Sequence, residues 1–235
     1  MGKSIQSRRP PPDLQNRSFR SMIEFGTRRT ATSGYMSYSD RVGPSVILLH
    51  EFFGLQQSFK SYADLLNEQG FTVLAPDLYD GEIADSVDSA SAKARSLDGD
   101  RTMEKIKAAA EHLTENWHPR LGVVGFSLGA GFAIELAQEL PIEGTVLYYG
   151  LGDFDPGRWH GPCLGHFAED DEWESVADAE TAFDGLREGG IEAEMYLYPK
   201  VGHWFANADM PSAYDETAAQ LAFQRTVEFF QYHLS

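Results

Sequence analysis

Apolar residues fall along this chain in two alternating patterns. One is a set of short continuous runs: SVILLH (45–50), FTVLAPDL (71–78), LGVVGF (121–126), GTVLYYG (144–150), PCLGHFA (162–168) and AEMYLYP (193–199). These are too short and too rich in β-branched and aromatic residues for helices, and they read as buried strands. Between them the apolar positions step by three and four. Met103, Ile106, Ala110, Leu113 and Trp117 share one helical face, as do Phe59, Tyr62, Ala63 and Leu66, and Ala219, Phe223, Val227, Phe230 and Leu234. Gly70 is placed to end the second of these helices. Strands alternating with helices predict an α/β protein, a mostly parallel, doubly wound sheet with helices on both faces. The segments 22–25 and 30–38 are shorter and more polar, and are expected to form an antiparallel hairpin at the sheet edge.

No fixed-period repeat or low-complexity linker interrupts the chain after its start, so a single domain over 21–235 is expected. Residues 1–20, MGKSIQSRRPPPDLQNRSFR, are basic and proline-rich and are expected to form a disordered tail; they hold no apolar segment of the kind a secretory signal needs. Charge is divided unevenly. Of 19 basic and 36 acidic residues, 8 and 3 lie up to Arg41, leaving 11 and 33 in the body of a chain with net charge -17. Such a body opposes binding to phosphate backbones, and nucleic acid is not an expected partner. No apolar run approaches the ~20 residues that span a bilayer, so no membrane span is expected. One cysteine, Cys163, excludes an internal disulfide framework and a Cys-rich metal site, and makes cytoplasm the default compartment. No metal or cofactor is expected, and the chain is expected to be a monomer or a small homo-oligomer.

The chemistry is concentrated at GFSLG (125–129), where the run LGVVGF ends and a small-residue helical segment, LGAGFAIELAQEL, begins. A serine on such a strand-to-helix turn is held strained with its hydroxyl above the sheet, and the crowded turn needs glycine two positions to either side, as Gly125 and Gly129 supply. A glycine-rich turn that merely packs a helix onto a sheet would share this pattern. Serine needs a base to accept its proton, and the base needs a carboxylate to orient it. Of the histidines after Ser127, His166 lies in an expected strand and His233 on the last helix. His203 sits in the tight PKVGHW connection at a strand's carboxyl end and is the expected base. PCLGHFAEDDEW offers Asp170 and Asp171 as the acid, with Asp153 and Asp155 one strand earlier as the alternative.

With these residues in place, the chain resembles the dienelactone hydrolase family of α/β-hydrolases from Met22 onward. HEFFGL (50–55), APDLYDG (75–81), GHFAEDDEW (165–173) and YPKVGHWFAN (198–207) carry the resemblance, in the family's order. It implies an α/β-hydrolase fold, and it selects Asp171, five positions beyond the histidine of the third phrase, as the acid. It implies an oxyanion hole made by the backbone N–H groups of Leu128 and Phe52, each worth ~3 kcal/mol in hydrolases generally. It also implies a role for Glu51, which in cysteine-bearing members helps manage the nucleophile's proton. Here the nucleophile position is serine, which is hardly ever ionised near neutral pH, so Glu51 is expected to orient substrate or tune His203. Members that cleave dienelactones have arginines for the substrate carboxylate; the corresponding stretches here hold Glu82 and Asn207.

A serine hydrolase acting on a small neutral ester or lactone through an acyl-enzyme is therefore expected. Phe53, Tyr79, Trp173 and Trp204, with Phe52, are expected to line an apolar pocket. A thioesterase, acyltransferase or peptidase would use the same triad, and a non-catalytic binding protein would keep only the pocket. Cys163, at the start of an expected strand, is not expected to take part in the chemistry.

Overall fold

The computed structural model describes residues 17–27 and 31–235. An antiparallel pair, β1 (Ser18–Phe25) and β2 (Thr32–Ser39), precedes a series of strands, β3 (Ser45–Leu49), β4 (Thr72–Pro76), β5 (Leu121–Phe126), β6 (Gly144–Tyr148), β7 (Cys163–Ala168) and β8 (Ala193–Tyr198). All join one eight-stranded sheet in the order β1-β2-β4-β3-β5-β6-β7-β8. β2 meets β4 antiparallel, and every pairing from β4 to β8 is parallel. The hairpin lies at the edge, as the polar segments suggest. The expected tail lies outside the described residues up to residue 16, but Ser18 to Arg20 belong to β1. There Phe19 stacks on Tyr38 across the pair at 5.0 Å, a cross-strand contact that the short sequence pattern did not mark.

The central strands are buried along their whole length because each face meets a different layer. In β3, Val46 and Leu48 join one core, while Ile47 and Leu49 join the other. The first core is closed by α1 (Gln57–Glu68) and α6 (Glu216–His233), the second by α3 (Gly99–Asn116), α4 (Leu128–Glu139) and α5 (Val176–Glu188). This two-faced burial produces continuous apolar runs rather than alternation. α2 (Val87–Ser96) and α5 carry no strong stripe in the sequence. Serine caps start both: Ser86 exchanges hydrogen bonds with Ser89 in a capping box, and Ser175 accepts from the Asp178 N–H.

In α6 the buried stripe is Ala218, Ala222, Thr226, Val227 and Phe230, shifted from the apolar spacing, which had included Ala219 and Phe223. Thr226 is tolerated in the core because its hydroxyl donates to Ala222 O (3.0 Å) and also contacts Tyr148 Oη and His166 Nε2. His166 is thus a satisfied core histidine, its Nδ1 meeting Tyr198 Oη at 2.9 Å. Among the described residues no helix is long and apolar enough to cross a membrane. The parallel direction of β3 to β8 brings the loops after β3, β4, β5, β7 and β8 to one end of the sheet, the usual place for a site in an open α/β sheet.

Candidate active site

Ser127 forms the turn between β5 and α4 with φ 48° and ψ -113°, a conformation costing about 1–3 kcal/mol that the surrounding packing must hold. The packing is close. A Cβ on Gly125 would lie 2.3 Å from Gly129 O, and one on Gly129 would lie 2.4 Å from Leu49 O and 2.6 Å from His50 O. The two glycines therefore let α4 start against the end of β3. Leu128 is the first residue of α4, so its N–H has no carbonyl four residues back within the helix. The residues after β3 pass beside it, and Glu51 and Phe52 lead into a turn that the Gly54 N–H closes on Glu51 O (3.0 Å).

His203 comes to Ser127 from the loop after β8. Its Nε2 accepts from Ser127 Oγ at 2.9 Å, and its Nδ1–H donates to Asp171, 3.0 and 2.9 Å from the two carboxylate oxygens. Asp171 lies three residues beyond β7, and Asp171 Oδ1 also accepts from the N–H groups of Trp173 (2.8 Å) and Glu174 (3.0 Å). Burial alone would raise this carboxyl, but the His203 hydrogen bond and charge and those two amides outweigh it and hold it below the ordinary aspartate value. The loops carrying His203 and Asp171 are tied together by backbone bonds, Glu169 N–H to Tyr198 O (2.9 Å) and Asp170 N–H to Val201 O (3.0 Å). Asp153 is exposed on its own loop, and Asp155 caps the Gly157 N–H nearby.

Glu51 is fully buried and accepts two hydrogen bonds, from Tyr149 Oη (3.1 Å) and Asn207 Nδ2 (2.6 Å). Burial pushes its carboxyl up to about 8, with the two donors only partly offsetting this. Asn207 also donates to Gln56 Oε1 (3.1 Å), and its Oδ1 accepts from the Asp209 N–H (2.8 Å). Asn207 is thus turned into the protein beside Glu51, whereas Glu82 is exposed and paired with Lys93. Tyr149 is a site residue that the sequence reading passed over, because GTVLYYG reads as strand to its end. β6 stops at Tyr148, and Tyr149 leaves it with φ 36°, placing its ring 4.8 Å from that of His203. The only cue in the sequence is the following Gly150, where a Cβ would lie 2.4 Å from Ser127 O.

The five aromatic residues expected around the pocket separate into two groups. Trp173 is 54% exposed, its ring lying 6.1 Å from His203, 6.0 Å from Phe52 and 5.5 Å from the half-buried Trp204. Phe53 and Tyr79 are buried instead. Phe53 packs under Ala84 and Ala90, and Tyr79 Oη donates to Phe52 O at 3.1 Å. A cavity of about 500 Å³ opens beside His203, Trp173 and Trp204. Cys163 lies buried at the opposite end of β7. Among the described residues no group of three or more His, Cys, Asp or Glu is placed to hold a metal ion.

The dienelactone hydrolase family model matches residues 32–234. A carboxymethylenebutenolidase of Rhodococcus opacus is 30% identical over 212 residues, covering 82% of this chain and 82% of that protein. Protein usf of Aquifex pyrophilus is 29% identical over 229 residues, 91% of this chain and 99% of the relative. Among solved structures, a dienelactone hydrolase-like promiscuous phosphotriesterase from metagenomic libraries superposes with a TM-score of 0.83 at 22% identity, over 93% of this chain and 99% of that one. The order and direction of the strands, the loops gathered at one end and a match over nearly the whole described sheet lead to one family: the chain belongs to the dienelactone hydrolase family, with the α/β-hydrolase fold, and is a carboxylic-ester hydrolase.

Proposed function

We propose that this protein hydrolyses small neutral carboxylic esters or lactones with Ser127 as its nucleophile. The observation that carries this reading is the continuous hydrogen-bonded line from Ser127 Oγ through His203 to Asp171. Ser127 Oγ attacks the ester carbonyl carbon as His203 Nε2 takes its proton, and Asp171 stabilises the imidazolium that forms. The carbonyl oxygen, now negative, is met by the N–H groups of Leu128 and Phe52. The carbon–oxygen bond to the leaving group breaks, and His203 returns the proton to the departing alcohol. Water, deprotonated by His203, then attacks the acyl carbon; the bond to Ser127 Oγ breaks, His203 returns the proton to that oxygen, and the acid product leaves.

The substrate class follows from charge. The body is strongly acidic, and neither Glu82 nor Asn207 offers the cation that a substrate carboxylate needs. Phe52, Trp173 and Trp204 supply apolar surface beside His203, where the leaving alcohol lies. Hydrolysis of a short chromogenic ester by the wild type and by Ser127→Ala tests the assignment. The variant is expected to lose at least about 10,000-fold in kcat. Equal rates in the two proteins would remove Ser127 from the mechanism.

A further inference from the structure

The loop after β3 is fastened through three successive carbonyl groups. Glu51 O accepts from His50 Nδ1 (2.8 Å) as well as from the Gly54 N–H, Phe52 O accepts from Tyr79 Oη (3.1 Å), and Phe53 O accepts from the Ala84 N–H (2.9 Å). His50 can donate from Nδ1 because its Nε2 is occupied as an acceptor for the Leu78 N–H at 3.1 Å. The ring is fully buried, which pushes it down to about 4 and keeps it neutral, as this double role requires. His50 therefore links the end of β3 to the segment after β4. That segment is itself fixed, because the Asp77 carboxylate accepts from the N–H groups of Tyr79 (3.0 Å) and Gly81 (2.7 Å). The rings of His50 and Tyr79 meet edge to face at 5.3 Å.

The carbonyl of Glu51 and the N–H of Phe52 belong to one planar peptide unit and point in opposite directions. Fixing the carbonyl therefore aims the N–H. We infer that His50 and Tyr79 are positioning residues that hold the Glu51–Phe52 peptide so that the Phe52 N–H meets the oxyanion of the reaction. This rests on the Ser127 reading above. The carbonyl of that unit is held by His50 on one side and the next carbonyl by Tyr79, so the peptide cannot rotate without breaking a buried hydrogen bond. Such a flip would leave Leu128 as the lone donor. Neither His50 nor Tyr79 touches the reacting atoms, and Tyr79 acts here through its hydroxyl rather than as pocket wall.

The test compares His50→Leu, His50→Gln and Tyr79→Phe with the wild type, each reported per active site titrated at Ser127 with a fluorophosphonate. His50→Leu is expected to lower kcat by about 100-fold and Tyr79→Phe by about 10-fold, the range for a misaimed oxyanion donor, with KM changed less than about 3-fold. His50→Gln, which keeps a donor and an acceptor, is expected to recover part of the loss. Affinity for phenylboronic acid, which forms a tetrahedral adduct with the serine, is expected to fall in step with kcat. A purely structural role would reduce the number of titratable sites and leave kcat per site and boronate affinity alone; that result overturns the inference. If His50→Leu does not fold, Tyr79→Phe, which removes one oxygen atom, decides alone, and wild-type kcat in it is the overturning result. Failure of the wild type itself to be labelled at Ser127 would count against the nucleophile and is read separately.

Discussion

Two buried carboxylates stand at the same end of one sheet, and their surroundings drive them in opposite directions. Asp171, after β7, has an imidazole and two backbone N–H groups around it and is held below its ordinary value. Glu51, after β3, has two neutral donors, Tyr149 and Asn207, and rises to about 8. Burial penalises both charges; a group able to take up positive charge accompanies only one of them. The contrast suits a division of labour in which Asp171 is an anion throughout turnover and Glu51 is a neutral acid over most of the working range. It also fits the serine nucleophile proposed above, since a hydroxyl nucleophile would need its base in His203 and would gain nothing from a second anion nearby.

The largest effect is expected where the charged partner is removed. In Asp171→Asn, the side-chain oxygen still accepts from Trp173 and Glu174, but the amide –NH2 faces His203 Nδ1. His203 then carries its proton on Nε2 and cannot accept from Ser127. A loss of about 10,000-fold in kcat at neutral pH is expected, comparable to that of Ser127→Ala, with the fold intact by circular dichroism. A loss below about 10-fold would show that His203 is oriented by something else, such as the Tyr149 ring beside it.

Glu51→Gln probes the other half of the comparison. Glutamine imitates the protonated acid: its oxygen accepts from Asn207, while its –NH2 donates to Tyr149 Oη. Activity is expected to fall less than about 10-fold at pH 7, where the wild-type group is already mostly neutral. The clearer signature is in stability. A folded-state value raised to about 8 from an unfolded value of 4.5 means that the native state holds a proton the unfolded chain releases. Glu51 thus contributes stability that is full below about pH 4.5 and is lost as pH rises through about 8. Asp171 acts with the opposite sign: its lowered value contributes stability at neutral pH that is lost on acidification. Urea midpoints measured from pH 5 to 9 are expected to fall in the wild type and to flatten in Glu51→Gln. A slope unchanged by the substitution would mean that Glu51 is ionised in the folded protein and has a cationic partner.

The two halves of this comparison were unequally legible in the sequence. Ser127, Asp171 and His203 each follow a strand with a strong apolar pattern, so strand ends located them and the family phrases chose between adjacent aspartates. The central sheet was readable for the same reason, because two-faced burial leaves continuous apolar runs, whereas the edge hairpin was readable from its shorter, more polar segments. The surroundings of Glu51 were not readable. Tyr149 looked like the end of a strand until the backbone turned at φ 36°, and Asn207 stood as the replacement of an arginine rather than as a donor to a buried acid. His50 and Tyr79 belonged to recognisable phrases, yet their role depends on which carbonyl each one reaches. Hydrogen-bond partners distant in sequence leave no periodicity behind, and the polar α2 and α5 were missed for a related reason: short capping motifs, not long stripes, begin them.

Cys163 supplies the limiting case, a buried titratable group with neither charge nor donor to oppose burial, which alone pushes its thiol up. It sits at the amino end of β7, paired across the sheet with Thr145 and Ala193, on the far side from the loops that carry Asp171 and His203. A thiol this deeply buried and un-ionised is a small apolar group and not a nucleophile. Cys163→Ala should therefore cost only the transfer and cavity terms of one sulfur atom. That is about 1 kcal/mol, or a Tm lower by about 2–4 °C for a chain of this size. Ester hydrolysis per titrated site should stay within two-fold of the wild type, and thiol reagents should label the native protein far more slowly than the unfolded one. A drop of ten-fold or more in kcat per site without loss of fold would place chemistry at the wrong end of β7 and break the assignment of Ser127 together with the contrast built on it.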